Sequence, residues 1–190
     1  MSMYRGKLFV VVGPSGSGKD SLIGYAKEYL QGKYPIIFPR RYITRPKDQT
    51  REDHIPLSID EFQNLIKENR FAMYWKSYGN YYGIGKEIEF LLSDGISVVI
   101  NSSRENLTQI ESQKLYPDFR VIYVEANPEV VEQRLKERGP KIGVEIEERL
   151  NRADKFKDID HLILKRLDNT GDLDTSGREF VEFLMEKSMF

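Results

Sequence analysis

The sequence predicts an α/β fold, a mostly parallel sheet covered by helices on both faces, and three observations carry that expectation. Apolar runs with the character of buried strands alternate along the chain with stretches at helical spacing. The first run leads straight into a glycine-spaced loop ending in lysine, which is a strand-loop-helix unit. A length of 190 residues, with no internal repeat, low-complexity tract or interdomain linker, suits one domain able to bury most of its apolar surface.

Taken in order, Leu8-Phe9-Val10-Val11-Val12 reads as a buried strand. Residues 21–31 place Leu22, Ile23, Tyr25, Ala26, Tyr29 and Leu30 close to helical spacing, and Gly32 stops the helix. Residues 36–45 read as extended and are interrupted by Pro39 and Pro46. Ser58-Ile59-Asp60-Glu61 is a capping box, opening a helix to about Asn69. Residues 71–75 read as a strand, followed by a turn at Gly79-Asn80 and the aromatic pair Tyr81-Tyr82. A short helix over 86–93 runs through Asp94-Gly95 into a buried strand over 96–100. A further strand over 120–125 precedes Asn127-Pro128, an N-cap with proline at the first helical position, and the helix it opens runs to Arg138 and ends at Gly139. Helices are expected over 144–156 and 179–187, with a strand over 161–164 between them.

Composition removes whole classes of function. There is no cysteine, which excludes thiolate zinc sites, disulfides and thiol nucleophiles and fits a reducing cytoplasm. No apolar run approaches the roughly 20 residues of a membrane helix, and the first residues lack signal-peptide anatomy, so a soluble cytoplasmic protein is expected. The net charge of -1, from 29 basic and 30 acidic residues, gives no global pull toward nucleic acid or membrane. Locally the balance differs: Lys33, Arg40, Arg41, Arg45, Lys47 and Arg51 face only Asp48, an excess that suits an anionic small molecule. Oligomeric state is not legible.

The loop itself is Gly13-Pro14-Ser15-Gly16-Ser17-Gly18-Lys19, followed by Asp20-Ser21. Its glycines let the backbone curl so that successive N–H groups point at one anion, the helix N-terminus adds partial positive charge, and Lys19 reaches the outer phosphates of a nucleotide such as ATP. The usual hydroxyl after the lysine, which would meet Mg2+, is replaced by Asp20, with Ser21 next in line. Asp20 suits either of two roles, a hard-oxygen ligand for Mg2+ or a favourable charge at the positive end of the helix.

A second basic group, Arg134, Arg138, Arg149 and Arg152, surrounds the glycine-proline break at 139–140. Spacings of four and three residues put each pair on one helical face, fit for a lid over phosphates. Glu132, Glu137, Glu145, Glu147 and Glu148 offer the alternative of ordinary solvated ion pairs.

With Tyr42-Ile43-Thr44-Arg45, Asn80-Tyr81-Tyr82-Gly83 and Arg134-Leu135-Lys136-Glu137-Arg138-Gly139, the loop resembles the guanylate kinase superfamily nearly end to end. The resemblance implies a three-layer P-loop kinase core that binds ATP and Mg2+, a small β-rich insert for the acceptor, and an arginine-bearing helical lid. By position, Arg45 and Tyr82 match phosphate-holding residues of the acceptor site, and Arg134, Arg138 and Arg149 match lid arginines. The implied layout is a single domain over 1–190, with core segments 5–33 and 94–190, a lid over about 134–152 and an insert over about 36–90.

Departures bear on the acceptor. The two acids with which guanylate kinases read guanine align with Met73 and Ser103. A thioether cannot replace a carboxylate that accepts from the guanine N1–H and amine; each unpaired donor would cost roughly 1–3 kcal/mol. A phosphate-binding serine aligns with Arg41, a phosphate-binding tyrosine with His54, and a second arginine falls near Asp48. The residues 13–22, 41–45, the His54-Ile55 pair, 80–88 and 98–104 resemble most closely the ribose 1,5-bisphosphate phosphokinases within that superfamily, where Asp20 and the loss of the acidic pair are usual.

That resemblance implies transfer of the γ-phosphoryl of ATP to the sugar phosphate ribose 1,5-bisphosphate, with no nucleic acid or membrane partner. It puts Lys19 and the loop amides on the donor, and Arg41, Arg45 and Tyr82 on the acceptor phosphates. Asn101 and Arg104, at the carboxyl end of a strand, suit ligand contact, the alternative being a strand-end cap and a surface arginine. His54 suits a phosphate donor or an ordinary hydrogen-bonded group. Tyr74, Trp75, Tyr78 and Tyr81 suit packing. A nucleoside-monophosphate kinase and a non-catalytic binding module are the rival readings.

Overall fold

The computed structural model describes residues 5–46, 52–77, 79–113, 116, 118–137 and 164–188. Strands β1 (Leu8–Val12), β2 (Ile36–Ile37), β7 (Ser97–Asn101), β8 (Arg120–Glu125) and β9 (Leu164–Asp168) form a parallel sheet in the order β2-β7-β1-β8-β9. All five side chains of β1 are buried, as the central strand of a sheet covered on both faces requires.

The two faces divide the core. Phe9 and Val11 point toward α1 (Lys19–Leu30) and α6 (Leu173–Ser188), meeting Leu22, Ala26, Leu30, Phe180 and Leu184. Leu8, Val10 and Val12 point the other way, toward α3 (Glu87–Ser93) and α4 (Arg104–Gln113), joining Ile88, Leu92, Leu107 and Ile110. Alternate residues of one strand thus seal two helical layers, which makes three layers in all.

A second sheet of four strands has the order β4-β3-β6-β5. It comprises β3 (Tyr42–Ile43), β4 (Ile55–Pro56), β5 (Phe71–Ser77) and β6 (Asn80–Gly85), with α2 (Ile59–Lys67) before β5. Phe62 of α2 stacks on Phe71 at 4.6 Å, while Met73, Trp75, Tyr82 and Ile84 join the second core face. The small sheet is therefore packed onto the large one and cannot tilt independently without opening that core.

Four elements differ from expectation. The aromatic pair Tyr81-Tyr82 lies inside β6, because it answers β5 across the hairpin, Trp75 opposite Tyr82. Helix α4 has only Leu107 and Ile110 as large apolar residues in ten positions, too sparse a stripe to register. Strand β9 begins at Leu164, and α6 begins at Leu173, ahead of the expected start at 179. Its first turns bury small residues instead of large ones: a Cβ on Gly177 would come within 2.6 Å of the Tyr25 ring. Asp172 Oδ2 accepts from the Thr175 N–H at 3.1 Å and supplies the cap.

The helix expected over 144–156 lies outside the described residues. Helix α5 (Pro128–Glu137) follows β8 as expected and packs Val131 and Leu135 beside Gly16. No described helix is long and apolar enough to cross a membrane.

Candidate active site

The carboxyl ends of β1, β7, β8 and β9 converge on one edge of the large sheet, the place where parallel sheets bind ligands. From β1 the chain turns at Gly13 (φ 151°), where a Cβ would come 2.2 Å from the Val124 carbonyl oxygen. It enters α1 through Gly18 (φ 89°), where a Cβ would come 2.2 Å from Asn169 Nδ2. No other residue type fits either position without displacing its neighbour. Lys19 Nζ donates to the carbonyls of Gly13 at 2.7 Å and Pro14 at 2.9 Å, so the ammonium already lies across the loop mouth.

The loop is braced from behind by residues that the sequence did not single out. Asn169, at the end of β9, donates from Nδ2 to the Ser17 carbonyl at 2.8 Å and accepts on Oδ1 from Ser176 Oγ at 2.7 Å. Arg134 Nη1 reaches the same Ser17 carbonyl at 3.4 Å, which brings this arginine, expected in a lid, onto the loop. Ser17 Oγ is buried without a hydrogen-bond partner among the described residues. Arg138 and Arg149 lie outside the described residues.

Asn101 joins the two halves of the site. Its pairing opposite Val11 sets it beside α1, where Nδ2 donates to Asp20 Oδ1 at 2.5 Å, while its carbonyl accepts from Arg41 Nη1 at 3.3 Å. The other Asp20 oxygen is not part of that bond and is a hard oxygen of the kind that Mg2+ favours. Ser21 is exposed on the first turn of α1. Among the described residues no three His, Asp or Glu gather into a metal cage, and a Mg2+ carried on nucleotide phosphates needs only one or two protein oxygens.

On the small sheet, Arg41 Nε meets Glu52 Oε1 at 2.6 Å, and Arg45 Nη2 meets Glu52 Oε2 at 3.3 Å. The Arg41 guanidinium lies 5.1 Å from the centroid of the Tyr82 ring, which stacks on Trp75 at 5.5 Å and 11°. Burial works against the Arg41 charge, yet attraction and hydrogen bonding from Glu52, with smaller help from Asp20 and Tyr82, raise its pKa above the ordinary arginine value. It remains a cation. Arg45 Nε is buried without a partner among the described residues, an N–H suited to an arriving oxyanion.

His54, read as either a phosphate donor or an ordinary hydrogen-bonded group, is corrected on the first count: it is fully buried, with Nδ1 3.1 Å from the Glu52 carbonyl and Nε2 2.9 Å from that of Arg45. Both ring nitrogens are taken up by main chain, so neither faces an anion. Met73 is also buried, and its sulfur accepts from Asn106 Nδ2 at 3.3 Å. The same nitrogen donates to Ser102 Oγ at 2.8 Å, and Ser103 Oγ accepts from the Asn106 N–H at 3.4 Å. No carboxylate stands at either position aligned with the guanine-reading acids. Arg104 opens α4, three residues past Asn101.

A phosphate loop at the switch of a parallel sheet, facing a small sheet that carries paired arginines, is the architecture of a nucleotide-dependent phosphotransferase. The guanylate kinase family model matches residues 5–179, and the chain belongs to that family. It is 41% identical over 184 residues to a protein of Thiobacillus denitrificans named ribose 1,5-bisphosphate phosphokinase PhnN, covering 97% of this chain and 95% of that one. Proteins of the same name from Desulfomicrobium baculatum (38%, covering 96% of each chain) and Burkholderia mallei (39%, covering 96% and 97%) match as fully. Among solved structures, a guanylate kinase from Anaplasma phagocytophilum shares the fold with a TM-score of 0.70 at 15% identity, covering 100% of this chain and 90% of that one.

Proposed function

We propose that the chain transfers the γ-phosphoryl group of ATP to the 1-phosphate of ribose 1,5-bisphosphate, giving 5-phosphoribosyl 1-diphosphate and ADP. The observation that carries this choice of acceptor is the paired guanidiniums of Arg41 and Arg45 beside base-reading positions filled by Met73 and Ser103. The site offers cationic grip for phosphates and has no acid at the two positions aligned with those that read guanine. The names and coverage of the relatives support the same reading.

The acceptor oxygen attacks the γ-phosphorus, and the bond to the bridging oxygen breaks, with its electron pair leaving on ADP. That acceptor oxygen is already ionised at neutral pH, so no side chain has to remove a proton, and catalysis rests on alignment and charge neutralisation. Lys19 and the amides of 13–19 hold the β- and γ-phosphates. Arg41, Arg45 and Tyr82 hold the acceptor, with Asn101 and Arg104 at its edge, while Arg134, Arg138 and Arg149 meet the transferring group. Mg2+, held by Asp20 or Ser21 together with the triphosphate, supplies further charge neutralisation when bound. We assign the acceptor-binding insert to about 36–90, the lid to about 134–152 and the reaction to the cytoplasm.

The test is ADP release with ribose 1,5-bisphosphate, GMP and AMP assayed side by side. Turnover confined to the sugar bisphosphate is expected. Turnover only with a nucleotide overturns the choice of acceptor, and failure to bind Mg-ATP at millimolar concentration overturns catalysis altogether.

A further inference from the structure

Glu52 has no place in the phosphate chemistry, yet its side chain is 14% exposed and each of its oxygens meets a different arginine. The geometry points to Glu52 as a positioning residue that sets the orientation of both acceptor-side guanidiniums. This rests on the reading of Arg41 and Arg45 as phosphate ligands.

Two guanidiniums converging on one oxyanion site repel each other, and each long side chain has many rotamers to lose. A carboxylate shared between them removes both difficulties. It pins Arg41 by Nε and Arg45 by Nη2, contacts that leave other N–H groups of each fork for a ligand. Arg41 is fixed at two further points, Nη1 on the Asn101 carbonyl and its plane over Tyr82. Arg45 keeps Nε buried without a partner among the described residues, although burying an unmade donor is unfavourable. Something must hold it there in readiness, and the described contact that does so is Glu52.

The carboxylate is itself held. The buried His54 ring lies between the same two stretches of main chain, with Nδ1 3.1 Å from the Glu52 carbonyl and Nε2 2.9 Å from that of Arg45, and it ties itself by a hydrogen bond to one of them. In every tautomer an N–H is donated to one of the two carbonyls. The side-chain bridge through Glu52 thus sits over a buried, hydrogen-bonded ring packed between the main chain of the same two residues.

Steady-state kinetics of Glu52→Gln and Glu52→Asp test this, with thermal melting as the check on folding. For Glu52→Gln, KM for the acceptor should rise by about 10–100-fold, the scale on which orienting partners act in other sites, with KM for ATP within about twofold of wild type. Glu52→Asp keeps the charge and cannot span both forks, so the same split should appear at smaller size. An unchanged acceptor KM in either variant overturns the inference, as do equal rises in both KM values. A lowered acceptor KM also overturns it, since that would make Glu52 an internal competitor. If wild-type protein proves to use another phosphorylated acceptor, the proposed function falls, and the same comparison run with that acceptor still decides the role of Glu52.

Discussion

The side-chain amide of Asn101 and the carboxylate of Asp20 lie 2.5 Å apart, tying the carboxyl end of β7 to the first turn of the helix that follows the phosphate loop. Because the Asn101 carbonyl also accepts from Arg41, one residue touches the phosphate-loop helix through its side chain and the arginine beside the small sheet through its backbone.

Asn101→Ala separates those two contacts, since it deletes the amide and keeps the carbonyl. A hydrogen bond to a charged group is worth about 1.5–3 kcal/mol, so Asp20 freed of Asn101 should raise the Mg2+ concentration needed for half-maximal rate by roughly tenfold or more. Acceptor KM should change less. Rate measured against Mg2+ at fixed ATP checks this, and an unshifted Mg2+ dependence would leave Asp20 with only a helix-end role.

Arg134 contacts the Ser17 carbonyl from α5, and so already sits on the phosphate loop. Arginines that meet transferring phosphoryl groups supply 10^3 to 10^5 in rate, so Arg134→Ala should lower kcat by about 10^3 with little change in melting temperature. Arg134→Lys should recover only part, because a point charge cannot reproduce the fork. Single-turnover kinetics would separate this from slow product release; an intact chemical step would remove Arg134 from the transition state.

The legible parts of this protein are those written in contiguous sequence. The loop 13–19 declares itself through spacing alone, and the basic cluster from Lys33 to Arg51 through local charge excess. What escaped was assembled by folding. Asn169 meets Ser17 across 152 positions of chain, and a lone asparagine after a strand carries no local signal of that meeting. Glu52 is one acid beside a basic run, and its bridge depends on the pairing of β3 with β4 that returns the chain to Arg41. The choice between the two readings of His54 lay in the fold for the same reason: alignment offered it a phosphate, while burial set it between two carbonyls.

Asn169→Ala should act on stability and on nucleotide affinity together. The substitution strips the Ser17 carbonyl of one buried donor, at a cost on the order of 1–3 kcal/mol, while the Ser176 hydroxyl loses its Oδ1 acceptor and keeps the Asp172 carbonyl at 3.2 Å. Arg134 alone, at 3.4 Å, would then hold the carbonyl. Urea unfolding should show a loss of about 2 kcal/mol or more, and calorimetric titration with ADP should show weaker binding. Lost stability with unchanged ADP affinity would mean that the brace supports the fold and not the loop geometry.

The capping box at the start of α2 gives a pH dependence whose sign can be worked out. Ser58 Oγ accepts from the Glu61 N–H at 3.2 Å, while Glu61 Oε2 accepts from the Ser58 N–H at 2.7 Å and from its hydroxyl at 2.8 Å. Bonds from the Ser58 backbone and side chain hold the Glu61 carboxyl below its ordinary value of 4.5. An acid depressed on folding contributes stability that is present above the unfolded value and disappears as pH falls through the lower folded one. The loss therefore belongs below about pH 4.5 and not near neutrality. Ser58→Ala, which also removes the hydroxyl that caps the helix, should cost about 1 kcal/mol at pH 7. Glu61→Gln should flatten that acid-side decline in a melting-temperature series from pH 7 to pH 3. A decline as steep in Glu61→Gln as in wild type would place the acid sensitivity in other carboxylates.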